Sequence, residues 1–192
     1  MPTKVFTELD EAKKQRVIDA ALNEFAANRF DNASTNTIVK NAGISKGSLF
    51  KYFENKEDLY FYLIDTVSAK MTAEMADAVA ALPEDVCERI IAYSSLEISY
   101  YLEHPEEGKL LTNLASEKDN DIAEKIAERY GEASKASYEN LIQGTGLDKN
   151  KTDILKWVLE GFNKDFLTTG GTGEEYVTKL KSYLNELRKG LI

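Results

Sequence analysis

One cysteine, one histidine and three prolines are spread over 192 residues. Cys87 alone supports neither an intrachain disulfide nor a thiolate metal cluster, and reads as a small buried residue. His104 sits in Glu103-His104-Pro105-Glu106-Glu107 without the spaced partners of a zinc site, so it reads as a turn residue and no metal is implied. A single histidine and a single cysteine leave no ready Ser/His/Asp or Cys/His set. Enzyme activity is therefore not expected and no cofactor is implied, with carboxylate chemistry left open. No apolar run approaches the roughly 18 residues of a membrane span. No apolar signal core follows Met1-Pro2-Thr3-Lys4, so a cytoplasmic location without membrane attachment is expected. The glycine loops at 144–146 and 170–173 neither follow a strand nor lead into Gly-Lys-Ser/Thr, which argues against phosphate cradles.

What is present is charge and helical periodicity. The net charge is −9, an unpromising value for a chain that coats nucleic acid. It is unevenly placed, however. Residues 1–60 carry nine basic and nine acidic side chains, whereas residues 61–192 carry fifteen and twenty-four. Such asymmetry hints at two jobs in one chain.

Prolines only at 2, 83 and 105, and no alternating strand, predict an all-α fold of about nine helices. The pattern places them at Asp10–Asn28, Thr35–Asn41, from the Ser45 cap to about Phe53, from the Asn55 cap to Leu82, Glu84–Glu103, Pro105–Ser116, Asp119–Gln143, Thr152–Thr168, and Glu174 onward. Ser34 caps the second, although Thr37 stands where the reciprocal Glu of a capping box would be.

The informative stretch is Ser34–Leu59. Two short helices are joined by Ala42-Gly43-Ile44, and Ile38, Val39, Ile44, Leu49, Phe50 and Phe53 are expected to anchor them. The outward residues of the second helix are small or basic: Ser45, Lys46, Gly47, Ser48 and Lys51. Small side chains let another surface approach closely, as when a helix-turn-helix enters the DNA major groove. From Arg29 to Lys56 five basic residues face two acidic ones, a local +3 that suits phosphate contacts.

The run Ala42-Gly43-Ile44-Ser45-Lys46-Gly47-Ser48-Leu49-Phe50, followed by Tyr52-Phe53-Glu54-Asn55-Lys56-Glu57-Asp58-Leu59, resembles the DNA-binding signature of TetR-family transcriptional regulators. The resemblance covers about the first 60 residues. It implies an N-terminal three-helix DNA-binding domain at residues 1–55 and a helical effector-binding and dimerisation domain at 56–192. It also implies base contacts by Lys46, Gly47 and Ser48, with Ser45 and Lys51 alongside. A phosphate contact is implied for the Tyr52 hydroxyl, a second for Lys56 at a helix N-terminus, and backbone contacts for Ser34 and Asn36. Two positions depart from the family pattern. Val39 replaces a small residue at the helix–helix contact, and Asn36 replaces a commonly basic one.

In such a regulator the acidic two-thirds holds the effector and the dimer interface. Trp157, Gly161 and Phe162 with Leu180, Leu184 and Leu187 are the expected interface, pairing with their two-fold copies as a four-helix bundle. Tyr93, Tyr100, Tyr101, Tyr130, Tyr138, Phe162 and Phe166 are the expected lining of a cavity for a small apolar or aromatic effector. The implied function is a homodimeric repressor of a palindromic DNA operator, released by that effector. The alternative is a helical small-molecule-binding protein with a vestigial helix-turn-helix.

Overall fold

The computed structural model describes residues 1–118, 120–144, 146–169 and 171–190, the side chains of 164 and 166–169 excepted. Among these residues there are ten α-helices and no strand: α1 Lys4–Thr7, α2 Glu11–Ala27, α3 Thr35–Ala42, α4 Lys46–Tyr52, α5 Lys56–Ala80, α6 Val86–Glu103, α7 Pro105–Ser116, α8 Asp121–Ile142, α9 Lys149–Thr169 and α10 Gly173–Gly190. A single 3-10 turn, Phe30–Asn32, follows α2. The all-α expectation holds, with the one-turn α1 added. Asp119, Thr145, Gly170 and Leu191, on which parts of the expected helices and loops fall, lie outside the described residues.

Packing divides the chain into two compact units, one of residues 1–74 and 100–123, the other of residues 75–99 and 124–192. In the first unit, α2 buries Val17, Ala21 and Phe25, spaced at four-residue steps along one face. Buried in the same unit are Ile38 of α3, Leu49 of α4, Leu59, Tyr60, Leu63 and Ile64 of α5 and Leu110 of α7, and α2 packs against α3 and α7. Full burial of each large apolar side chain contributes roughly 1.5–3 kcal/mol, which is how two helices of seven and eight residues persist when neither is stable alone. Tyr60 sits at the centre, its ring 5.0 Å from Phe25 and 5.1 Å from Phe30. At Gly108 an added Cβ would lie 2.8 Å from the Cβ of Tyr101, so only glycine lets α7 approach that turn of α6.

Helix α7 is tied to the end of α2. The Asn113 side-chain amide donates to the carbonyls of Phe25 and Ala26 at 3.0 and 3.1 Å, satisfying two groups that the helix terminus leaves open. The Arg29 guanidinium donates to the Ser116 carbonyl and, at 3.0 Å, to its hydroxyl. The Phe30 amide donates to Glu117 at 3.1 Å.

The second unit has its own core. Val86, Cys87 and Ile90 of α6 pack with Leu155, Leu159 and Phe162 of α9 and Leu180 and Leu184 of α10. Arg89 donates to the carbonyls of Leu141 and Gln143 at 3.2 and 2.8 Å, closing the end of α8 over the start of α6. Arg188 of α10 pairs with Asp85 at the head of α6.

This packing corrects part of the expected dimer interface. Leu180 and Leu184 are 1% and 0% exposed, and Phe162 is buried with them. The leucine stripe of the last helix is spent inside one subunit, because α6 is apolar enough to cover it. These three residues have almost no surface left for a second copy.

Candidate nucleic-acid interface

The site is assembled from caps. Ser34 accepts the Thr37 amide at 3.4 Å and starts α3. Thr37 cannot return the bond, and a residue from another helix does so. Glu24 of α2, itself buried, accepts the Ser34 amide at 2.8 Å and the Asn28 side chain at 3.2 Å. The missing half of the capping box is thus supplied by tertiary structure, and it fixes the entry of α3 against α2.

Gly43 ends α3 at φ 66°, with its amide on the Lys40 carbonyl at 3.3 Å and that of Ile44 on Val39 at 3.0 Å. This paired closure needs a left-handed residue, which glycine takes without a Cβ penalty. Ser45 then caps α4 by accepting the Ser48 amide at 3.0 Å, and the two hydroxyls share a further bond at 2.9 Å. The far end of α4 is held by α1. The Thr3 amide and hydroxyl donate to the carbonyls of Tyr52 and Lys51 at 2.9 and 2.7 Å. Phe6, buried, lies 4.8 Å from the Phe53 ring.

Around α4, Leu49 and Tyr52 point inward while Lys46, Gly47, Phe50 and Lys51 are exposed. At 100° per residue these four fall on one face, opposite the two buried residues. An added Cβ at Gly47 meets nothing nearer than the Ser45 hydroxyl at 3.9 Å. Packing within the chain therefore does not demand glycine there. Asn36 and Lys40 are exposed on α3, and Ser34 is half-buried.

Two expected contacts look different in three dimensions. Tyr52 is only 4% exposed, its ring 5.8 Å from Phe6 with Lys13 lying over it, so anything it offers a phosphate is confined to the hydroxyl tip. The Lys56 ammonium, expected at a phosphate, is engaged within the chain. That ammonium turns inward and donates to the carbonyls of Phe30, Ala33 and Asp31 at 2.7, 3.2 and 3.4 Å. An ammonium has three donors, and here all three close the 3-10 turn. The helix start behind it carries Glu57 and Asp58, which favour the helix dipole but oppose an incoming phosphate. Phe50, expected as an anchor, is 41% exposed.

Residues 17–63 match the family model for bacterial regulatory proteins of the tetR family. The chain belongs to the tetR family. The uncharacterized HTH-type transcriptional regulator YdgC of Bacillus subtilis (strain 168) is 26% identical to this tetR-family protein over 168 residues, 82% of either chain. The fatty acid metabolism regulator protein of the same strain is 29% identical over 86 residues, 45% of this chain and 41% of that one. A solved TetR family transcriptional regulator from Chloroflexus aurantiacus J-10-fl superposes with a TM-score of 0.63 at 24% identity, covering 97% of this chain and 94% of the other. A TetR-like transcriptional regulator from Rhodococcus sp. RHA1 reaches a TM-score of 0.71 at 18% identity over 95% of this chain and all of that one. These structures share the fold. The tetR-family protein is a DNA-binding transcriptional regulator, and none of its described helices is long and apolar enough to cross a membrane.

The residues expected to line one effector cavity are distributed over both units. Tyr100 and Tyr101 belong to the first, where the Tyr100 hydroxyl donates to Glu107 and its ring lies 4.5 Å from His104. Tyr93, Tyr130, Tyr138 and Phe162 belong to the second. There the Tyr138 hydroxyl donates to the Thr152 carbonyl at 3.3 Å, and Tyr130 is half-buried beside Arg129. Phe162 lies 4.9 Å from Tyr176. The side chain of Phe166 lies outside the described residues. On the interface stripe, Trp157 is 66% exposed, Gly161 is exposed and Leu187 half-buried, and Tyr183 of α10, absent from the expected set, is 51% exposed.

Sequence reasoning missed α1 with Phe6, Glu24, and Glu97 of α6. The first carried a signal, a Thr3 cap ahead of an apolar residue. The other two carried none, since only the fold brings Ser34 to Glu24 and withdraws Glu97 from water.

Proposed function

We propose that this regulator is a homodimeric repressor that binds a palindromic operator and is released by a small effector with an apolar or aromatic body. The exposed face of α4 carries the reading. It sets Lys46, Gly47, Phe50 and Lys51 together on a helix capped at both ends, with Ser45 and Ser48 at its start and Asn36 and Lys40 on the preceding helix. A short, rigid helix with small and basic outward residues fits the major groove. Ser34 and the Tyr52 tip lie where backbone contacts would flank it. Residues 1–55 serve DNA and residues 56–192 serve effector and dimer. A chain of net charge −9 keeps its DNA face locally basic, so non-specific affinity is low and falls with salt.

Dimerisation is supported by Trp157, Gly161 and Tyr183, the exposed apolar and small positions of α9 and α10. Two recognition helices in a two-fold dimer would reach half-sites about 34–36 Å apart. Selection of bound duplexes from a genomic fragment pool tests the whole reading. A recovered inverted repeat supports it, and recovery of no sequence above the salt-sensitive background refutes it. An effector that saturates the protein without changing operator affinity would refute the release step alone.

A further inference from the structure

Lys13 stands four residues ahead of Val17 and so opens the face of α2 that is buried further along the helix. A lysine can occupy such a place because its alkyl stem lies along apolar surface while the ammonium reaches water. Here that surface is Tyr52, the last residue of α4, and the Lys13 ammonium lies over its ring, 6.0 Å from the centroid. Lys13 is half-buried and Tyr52 is buried. The same end of α4 is held by Thr3, which donates to the carbonyls of Lys51 and Tyr52. The Lys13 ammonium, the Tyr52 ring with its hydroxyl, and the exposed Lys51 are thereby gathered where the exposed face of α4 ends.

Most of the other cations near this end are already engaged. Of the nine basic side chains in residues 1–60, Lys4 pairs with Glu8 at 3.5 Å and Lys14 with Glu11 at 2.7 Å, Arg29 donates to Ser116, and Lys56 donates to the carbonyls of a turn. Lys13, Arg16, Lys40, Lys46 and Lys51 have no carboxylate partner among the described residues. The acids next to Lys13 are otherwise occupied. Asp10 accepts the Lys13 backbone amide at 2.9 Å, and Glu11 is the partner of Lys14. Lys40, Lys46 and Lys51 lie on α3 and α4, and Lys13 reaches α4 from α2.

We propose that Lys13 is a DNA-phosphate contact of this regulator, its ammonium and the Tyr52 hydroxyl holding one phosphate at the C-terminal end of α4. An ammonium with one side on a ring face keeps donors for a phosphate oxygen. The ring also sets where that charge stands before DNA arrives, which lowers the ordering cost of the contact. The proposal rests on the reading that the exposed face of α4 meets DNA.

The test measures binding of the full-length protein to a short mixed-sequence DNA duplex over a range of salt concentrations. Lys13→Met keeps the stem and should lower the slope of log affinity against log salt by about 1. Lys13→Gln should do the same if methionine disturbs the packing, and Lys13→Arg should keep the native slope. Lys14→Met removes an equal charge from a paired position and should leave the slope unchanged. Tyr52→Phe should weaken binding severalfold in the native background and little in Lys13→Met, because the two groups share a phosphate. Melting curves check that each variant is folded. A native slope in both Lys13→Met and Lys13→Gln, or an equal fall in Lys14→Met, would overturn the contact, and fully additive losses would overturn the shared phosphate. Lys46→Ala and Lys51→Ala are measured beside them. If these also keep the native slope, the α4 face is not at DNA and the functional reading fails. If they lower it and the Lys13 variants do not, only the Lys13 contact fails.

Discussion

The Lys56 ammonium lies 4.4 Å from the centroid of the Phe30 ring and donates to the Phe30 carbonyl at 2.7 Å. One lysine at the start of α5 thereby closes the turn between α2 and α3 and shields one face of the ring. Lys56→Met keeps the alkyl stem and removes the donors, leaving three carbonyls unserved. The expected loss is roughly 1.5–3 kcal/mol in urea unfolding. Because this charge faces inward, the salt dependence of non-specific DNA binding should not change. Lys46→Ala and Lys51→Ala should do the reverse, each lowering the slope by about 1 with little effect on stability. A lowered slope in Lys56→Met would show that its charge meets phosphate after all.

Phe50 is a large apolar side chain in the middle of an otherwise polar and basic helix face. An apolar contact to a thymine methyl is the readout available to such a residue in the major groove. Phe50→Ala should weaken binding to a selected operator by about 1 kcal/mol, the scale of one buried methyl group. Replacing one thymidine by deoxyuridine should cost the native protein a similar amount and the variant nothing. Equal sensitivity in both proteins would remove Phe50 from sequence reading.

Gly43 and Gly131 both have open space where a Cβ would go, but Gly43 has φ 66° and Gly131 lies within α8. Alanine at 43 should cost about 1–2 kcal/mol from backbone conformation alone. Alanine at 131 should gain roughly 0.5–1 kcal/mol, since glycine inside a helix loses the most conformational freedom on folding. Thermal melts of the two variants should move in opposite directions.

Trp157 and Leu184 separate association from folding. Trp157→Glu places a charge on an exposed position and should lower dimer affinity, read by sedimentation, with helicity unchanged. Leu184→Ala empties a buried position and should cost about 2–5 kcal/mol of fold stability. A Trp157→Glu protein that sediments as the native one does would place the interface elsewhere.

Glu97 makes stability depend on pH in a definite direction. Its carboxyl is raised from 4.5 when unfolded to about 7 when folded. Its contribution is therefore full below 4.5, declines across the interval between the two values, and is lost above about 7. The native protein should lose on the order of 3 kcal/mol relative to Glu97→Gln over that interval. A difference curve flat with pH would show that the carboxyl is solvated.

The helices were legible because each carries a periodic apolar stripe and a residue able to cap it. Ser34, Ser45 and Asn55 do cap α3, α4 and α5. The turn at Gly43 was legible for the same local reason. Phe50 was misassigned because its hydrophobicity says nothing about which side of a seven-residue helix it occupies. The leucine stripe of α10 was misassigned because a seam suited to a partner helix looks the same whether that partner is α6 or a second copy.

By itself the sequence determined the all-helical fold, the position of the helix-turn-helix and the membership that follows from it, since caps, turns and periodicity act over a few residues. The tertiary structure alone decided what individual charges and apolar faces do. Glu24 completes a cap ten residues away, Lys56 serves the carbonyls of a turn, and burial pushes the Glu97 carboxyl up. The interaction of a charged group depends on distance and local polarity. Both are set by which helices pack together and not by neighbours in the chain.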